Sequence, residues 1–188
     1  IDTAPGYMWV GNKLIQDPLN RGELSLTNAL QKSSQVAIAK LALALEERSI
    51  YDVLARAGVG SYVGSGLPGE SVGRFSDVGL NNDVMRVTLA YGYGLSLSPL
   101  QLAHAYLTLA TGGHVVPLSA TKQPAGRRGE AVFDPQMTRS VLEMMEAVTG
   151  EQGTAPKARI PGYRVAGKTG TARIVGEQGY DDVRHVAL

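Results

Sequence analysis

The run Val36 to Leu45 does most to limit what this chain can fold into. It reads Val-Ala-Ile-Ala-Lys-Leu-Ala-Leu-Ala-Leu, mostly good helix formers, and is apolar nearly all round, with Lys40 its one charge. A helix with one apolar stripe can lie on a surface, but one that is apolar on every side belongs in the middle of a core. Other elements must therefore surround it. At 188 residues, 44% of them hydrophobic, the chain can supply that surround and fits one domain, or most of a larger one.

The rest of the sequence reads as helices and short strands. Residues 1–25 are rich in Gly, Pro and Asn and read as loop with short strands. Leu24 to Leu30 reads as a short helix. Ser49, with Asp52 after it, reads as a capping box that starts a helix, and Gly58 ends it. Residues 58–83 form a long irregular connection. Ser98 then caps a helix with Pro99 at its first position and Gln101 closing the box. Leu100, Ala103, Leu107 and Ala110 are expected on its buried stripe, and Gly112-Gly113 ends it. Val115 to Lys122 reads as a strand, followed by a loop from Gln123 to Glu130. Asp134-Pro135 opens the last helix, with Val141, Leu142, Met145 and Val148 facing inward and Gly150 at its end. After a loop over 151–162, Tyr163 to Val175 reads as a strand, and a second strand begins near Arg184, as an antiparallel hairpin. No repeat or second domain is visible. The class is α+β, helices packed on an antiparallel sheet.

Composition removes several function classes. With 18 basic and 17 acidic residues the net charge is +1, too small to suggest nucleic acid or an anionic membrane as partner. The pair Arg127-Arg128 reads as a solvated turn. The chain has no cysteine, which excludes disulfides, thiolate metal sites and a Cys nucleophile. His104, His114 and His185 have no ligand spacing, so neither metal nor cofactor is expected. No apolar run is long enough to span a bilayer.

Two segments carry chemistry. In the strand pattern around Gly167-Lys168-Thr169-Gly170-Thr171, the two-residue period puts Lys168 and Gly170 on one face and Thr169 and Thr171 on the other. Two such hydroxyls can both donate to one carboxylate. Gly170 lets another backbone approach closely, and Lys168 adds positive charge beside it. The set suits the carboxylate end of an extended peptide laid along the strand. An edge strand with Thr chosen for β-propensity is the plainer alternative. The second segment is Lys32-Ser33-Ser34-Gln35, ahead of the apolar helix. Either serine suits an N-cap. If Ser33 instead faces a cleft, its hydroxyl can relay a proton, and the Gln35 amide can both donate to and accept from a peptide bond.

Leu-Thr-Asn-Ala-Leu-Gln-Lys-Ser-Ser-Gln-Val (26–36), Leu-Ala-Tyr-Gly-Tyr-Gly-Leu-Ser-Leu-Ser-Pro-Leu-Gln-Leu-Ala (89–103) and Gly-Tyr-Arg-Val-Ala-Gly-Lys-Thr-Gly-Thr-Ala (162–172) together resemble, in order, stretches of class B penicillin-binding proteins. The likeness is greatest to the septal, cell-division D,D-transpeptidases of Gram-negative bacteria. It implies a serine β-lactamase/D,D-transpeptidase-like fold. It also implies a stem peptide ending in D-Ala-D-Ala as substrate, covalent binding of β-lactams, and division-machinery membrane proteins as partners. The implied location is the periplasmic face of the inner membrane, with any anchor outside this chain. Ser33 and Lys168 would be catalytic. Gln35, Thr169, Gly170 and Thr171 would bind substrate, with the Thr171 N–H as half of an oxyanion hole. Tyr91 and Tyr93 would either line the cleft or pack in the core. Gln35 stands where the family has Asn, which places its amide one methylene further out.

The family's nucleophile lies in a Ser-x-x-Lys motif ahead of the other two. The one literal copy here, Ser119-Ala120-Thr121-Lys122, lies between them and in a strand-like stretch. There, residues three apart point to opposite faces about 10 Å from each other, unlike neighbours on a helix. The nucleophile is therefore expected upstream of Ile1. The ends also read as cut, so further sheet strands and a helix are expected beyond Leu188. A non-catalytic peptide- or partner-binding homologue, and a D,D-carboxypeptidase or β-lactam sensor, are the rival readings.

Overall fold

The computed structural model describes the chain except residues 124–125, 127–128, 177–178 and 188, and describes residues 172–176 and 179–187 as backbone. Arg127-Arg128 and the side chain of His185 thus lie outside the described residues.

The apolar helix, α2 (Gln35–Ala44), lies at the centre, with Val36, Ala37, Ala39 and Ala42 fully or almost fully buried. An antiparallel hairpin of β1 (Tyr7–Val10) and β2 (Lys13–Gln16) covers one side, bringing Val10 and Ile15 inward. Helix α4 (Asp83–Ala90) covers another with Val87. Each of the larger aliphatic side chains so buried contributes about 1.5–3 kcal/mol.

The terminal amides and carbonyls of α2 lack partners within the helix, and charged side chains from other elements satisfy several of them. At the N-terminus, Asp17, 3% exposed, accepts from the Ser34 hydroxyl at 2.5 Å and from the Gln35 and Val36 amides at 2.6 and 3.3 Å. At the C-terminus, Arg86 donates to the carbonyls of Ala42 and Leu45 at 3.0 and 2.6 Å and pairs with Asp83. Anion at the start and cation at the end both complement the helix dipole.

Helices α1 (Leu26–Gln31), α3 (Ser49–Arg56), α5 (Pro99–Ala110) and α6 (Pro135–Thr149), with a single 3-10 turn at Pro156–Ala158, complete the helical part among the described residues. α5 carries the expected Ser98–Gln101 capping box, and Asp134 caps α6. The α+β class stands, with the strands gathered in two antiparallel hairpins, β1–β2 and the pair β3 (Gly170–Gly176) and β4 (Gly179–Ala187). In the second hairpin Gly170 faces Ala187, and the register shifts between Arg173 and Val175.

Several local expectations are corrected. Ser49 does not cap α3: it is already helical, and the N-cap is Arg48, which makes no side-chain cap bond. Instead Arg48 pairs with Asp52 and Asp77 and lies over the Tyr51 ring. The buried face of α5 carries Gln101, His104 and Thr108, while Ala103 and Ala110 are exposed. The polar face is inside because it meets carbonyls: Gln101 donates to those of Ser61 and Val72, and the His104 ring bonds to that of Val116. Val115 to Lys122 forms no strand. Among the described residues His114 bridges to Ala131 and Val115 bonds to Glu130 and Gly129, and Pro117 has no N–H with which to extend the pairing. β3 begins at Gly170 rather than Tyr163, and β4 at Gly179 rather than near Arg184. Helix α4 was not foreseen, although Asn82 caps it by accepting from the Val84 and Met85 amides.

Candidate active site

The turn between α1 and α2 settles which serine does what. After α1 the Ser33 amide donates to the Leu30 carbonyl at 3.2 Å and the Ser34 amide to that of Ala29 at 3.0 Å. These two bonds are a Schellman ending, which places Ser33 where the chain turns left-handed. Ser33 has φ +53°, the only described non-glycine residue with positive φ. Glycine is the usual occupant, because a β-carbon there costs about 1–2 kcal/mol. Ser34 is the cap: its hydroxyl accepts from the Ala37 amide at 3.0 Å and donates to Asp17. Ser33 is left free of that duty, and its hydroxyl meets the Lys168 ammonium at 2.5 Å, across 135 residues of sequence.

Lys168 also donates to the carbonyl of Thr169 at 2.9 Å. Burial pushes its pKa below the ordinary lysine value. It forms no ion pair among the described residues, so its positive charge is easier than usual to discharge.

Both arms of the contact are mounted on the C-terminal end of α6. From one arm, Gln31 donates to the Ala147 carbonyl at 3.1 Å and Lys32 to that of Gln152 at 2.6 Å. The other arm, the segment leading into β3, is held at every second residue. The Thr149 hydroxyl donates to the Val165 carbonyl at 2.5 Å, the Gly167 amide donates to the Met145 carbonyl at 3.3 Å, and the hydroxyls of Thr154 and Thr169 lie 3.0 Å apart. Lys168 and Thr169 thus owe their position to a helix and its exit loop, and precede the strand in which they were expected.

The remaining predicted residues fall around this centre. Gln35 is the first residue of α2, its side chain exposed and without a hydrogen bond among the described residues, its amide pinned by Asp17. Gly170 and Thr171 open β3 and are exposed. The described sheet pairs β3 only with β4, leaving its other edge without a described strand. Tyr91 packs against the core cluster below α2, with Lys13 over its ring at 5.4 Å, and Tyr93 meets it edge-on at 6.0 Å. Ser119 is exposed, outside any helix, and bonded to Thr121 and Gln123. Among the described residues no group of His, Asp or Glu is placed to hold a metal ion. Asp17 and Thr154 were missed. Both act on the site from other elements, and no pattern near the motifs points to them.

The site thus brings together the Ser33 hydroxyl, a partly desolvated lysine and the exposed start of β3 on an α+β scaffold. The model of the penicillin-binding protein transpeptidase domain matches residues 3–187, and the chain belongs to that family. It is 44% identical over 165 residues to the peptidoglycan D,D-transpeptidase FtsI of Escherichia coli K12, covering 88% of this chain and 28% of that protein. It is 32% identical over 188 residues to the probable peptidoglycan D,D-transpeptidase PbpC of Pseudomonas aeruginosa, covering 100% of this chain and 33% of that one. The transpeptidase domain of Burkholderia pseudomallei penicillin-binding protein 3, solved without ligand, superposes with a TM-score of 0.88 at 34% identity, covering 96% of this chain and 55% of that one. The chain thus spans about a third of the length of these curated relatives. No helix among the described residues is long and apolar enough to cross a membrane.

Proposed function

We propose that this chain is the part of a septal peptidoglycan D,D-transpeptidase that carries the proton-relay and carboxylate-binding half of its active site. The observation that supports this most is the Lys168–Ser33 contact, which joins two motifs far apart in sequence. On this reading the nucleophilic serine lies outside the chain. Its oxygen attacks the carbonyl of the D-Ala-D-Ala bond, and a neighbouring lysine takes its proton. Ser33, held by Lys168, relays that proton: it gives its own to the departing D-Ala amine as the C–N bond breaks and takes the one carried by the neighbouring lysine, leaving an acyl ester on the nucleophilic serine. The amine of a second stem peptide then attacks that ester, forming the cross-link and freeing the serine. Thr169 and Thr171 hold the terminal carboxylate, Gly170 admits the peptide backbone, Gln35 bonds to the substrate amide, and the Thr171 N–H stabilises the oxyanion. A β-lactam acylates the same serine. The protein works at the periplasmic face of the inner membrane, alongside division-machinery membrane proteins.

Gln35, standing where the family has Asn, favours a second reading, in which the chain binds peptide or partner proteins without catalysis. Intact mass after incubation with benzylpenicillin decides between them, measured on this chain and on the full-length protein. Acylation of the full-length protein alone, at one serine, is expected. A folded full-length protein that takes no acyl group sinks the transpeptidase reading, and labelling of this chain itself places the nucleophile within it.

A further inference from the structure

The hydroxyl of Thr169 has one proton to give. If it donates that proton to Thr154, it can offer a ligand carboxylate only lone pairs. The 3.0 Å contact between the two hydroxyls therefore has one productive polarity, with Thr154 donating and Thr169 accepting. The Thr169 proton is then free and aimed away from Thr154, and chains of hydroxyls so ordered strengthen one another.

The backbone fixes Thr154 for such a task. The residue before it, Gly153, bonds back to the Gly150 carbonyl at 2.9 Å, and a β-carbon there would overlap the Val148 carbonyl oxygen. The residue after it, Ala155, is 7% exposed and donates to that same carbonyl at 3.0 Å. Thr154 is thus held from both sides by the last turn of α6. It also forms the last rung of the set that ties residues 165, 167 and 169 to α6. Its side chain makes no other hydrogen bond among the described residues, so the contact with Thr169 is its whole polar engagement.

We propose that Thr154 is a positioning residue for carboxylate recognition: it donates to the Thr169 hydroxyl and so directs the Thr169 proton at the terminal carboxylate of a stem peptide or β-lactam. This rests on the transpeptidase reading given above. The test is the second-order acylation rate of the full-length protein by benzylpenicillin, in Thr154→Val and Thr154→Ser variants. Valine keeps the shape and removes the donor, and the loss of one oriented hydrogen bond is expected to slow acylation about tenfold. Serine, which restores the hydroxyl, is expected to return the rate to within about twofold of wild type. Two further readouts separate orientation from packing. In a Thr169→Val background the Thr154→Val change should have no further effect. With a penicillin methyl ester, which lacks the carboxylate, the wild type and the Thr154→Val variant should react alike. Unchanged acylation in the valine variant overturns the role, as does failure of serine to rescue it. So does a full-sized loss that persists in the Thr169→Val background or with the ester. A wild-type protein that is not acylated at all overturns the transpeptidase reading and this role with it. Acylation in wild type with an inert Thr154→Val change overturns the role alone.

Discussion

Ser33 sits where glycine usually sits, and the consequence can be measured. Its φ of +53° places its β-carbon in the left-handed region, at a cost of about 1–2 kcal/mol. Replacing serine directly by glycine would mix this strain with loss of the bond to Lys168 at 2.5 Å. Comparing Ser33→Ala with Ser33→Gly removes the confusion, because both lack the hydroxyl and differ in the β-carbon. Alanine bears the strain. Glycine escapes it but gives the unfolded chain extra freedom worth about 0.4–1 kcal/mol. The balance leaves glycine ahead by on the order of 1 kcal/mol. For a chain of this size that is a melting temperature about 2–4 °C higher for the glycine variant. Outside the left-handed region the order is reversed, since alanine normally stabilises relative to glycine. Thermal unfolding of the two variants in one buffer, with urea midpoints as a cross-check, gives the answer. An alanine variant as stable as the glycine variant, or more so, refutes the claim that the backbone at Ser33 is strained.

Asp17→Ala removes the acceptor of the Ser34 hydroxyl and of two α2 amides, leaving donors in a site that is 3% exposed. It should destabilise by about 3 kcal/mol, lowering the melting temperature by about 6–12 °C. A fall of a degree or less in a calorimetric scan would show that the carboxylate is not the cap of α2. Lys168 gives a pH signature. Burial disfavours its charged form, so between its lowered pKa and the ordinary lysine value the unfolded chain binds more protons than the folded one. Stability from this group therefore rises with pH across that window. The urea midpoint of the wild type should gain on that of Lys168→Met as pH is raised toward 10, about the ordinary lysine value, and the opposite trend contradicts the desolvation.

How much of this was legible beforehand depends on whether a residue's partner is local. The central place of α2 follows from its all-round apolar sequence, and the α5 capping box from Ser98 and Gln101, residues three apart that satisfy each other. The buried face of α5 was misread for the opposite reason. Gln101 and His104 are inside because loop carbonyls at Ser61, Val72 and Val116 need donors, and no periodicity within the helix encodes that. The segment from Tyr163 to Thr169 does carry a two-residue rhythm. Its described rungs end on α6 and the loop that leaves it, so a strand pattern was visible without a strand. Asp17, Arg86 and Thr154 were out of reach because each acts on an element remote in sequence.

The same remoteness bears on Gln35. A longer amide could be accommodated if α2 slid back along its axis, drawing the side chain away from the cleft. The structure leaves no such freedom. The Gln35 amide is held by Asp17 at 2.6 Å, the preceding serine bonds to the same carboxylate, and Arg86 holds the far end of the helix through the Ala42 and Leu45 carbonyls. Clamped at both ends by buried charges, α2 behaves as a fixed post. On the transpeptidase reading, the extra methylene must then be absorbed by the side chain alone, through a bent rotamer that returns the amide to where an asparagine would hold it. Misplacement by about an ångström can cost on the order of 100-fold in rate, so on the transpeptidase reading that rotamer, rather than any movement of the helix, decides whether the site with glutamine is competent.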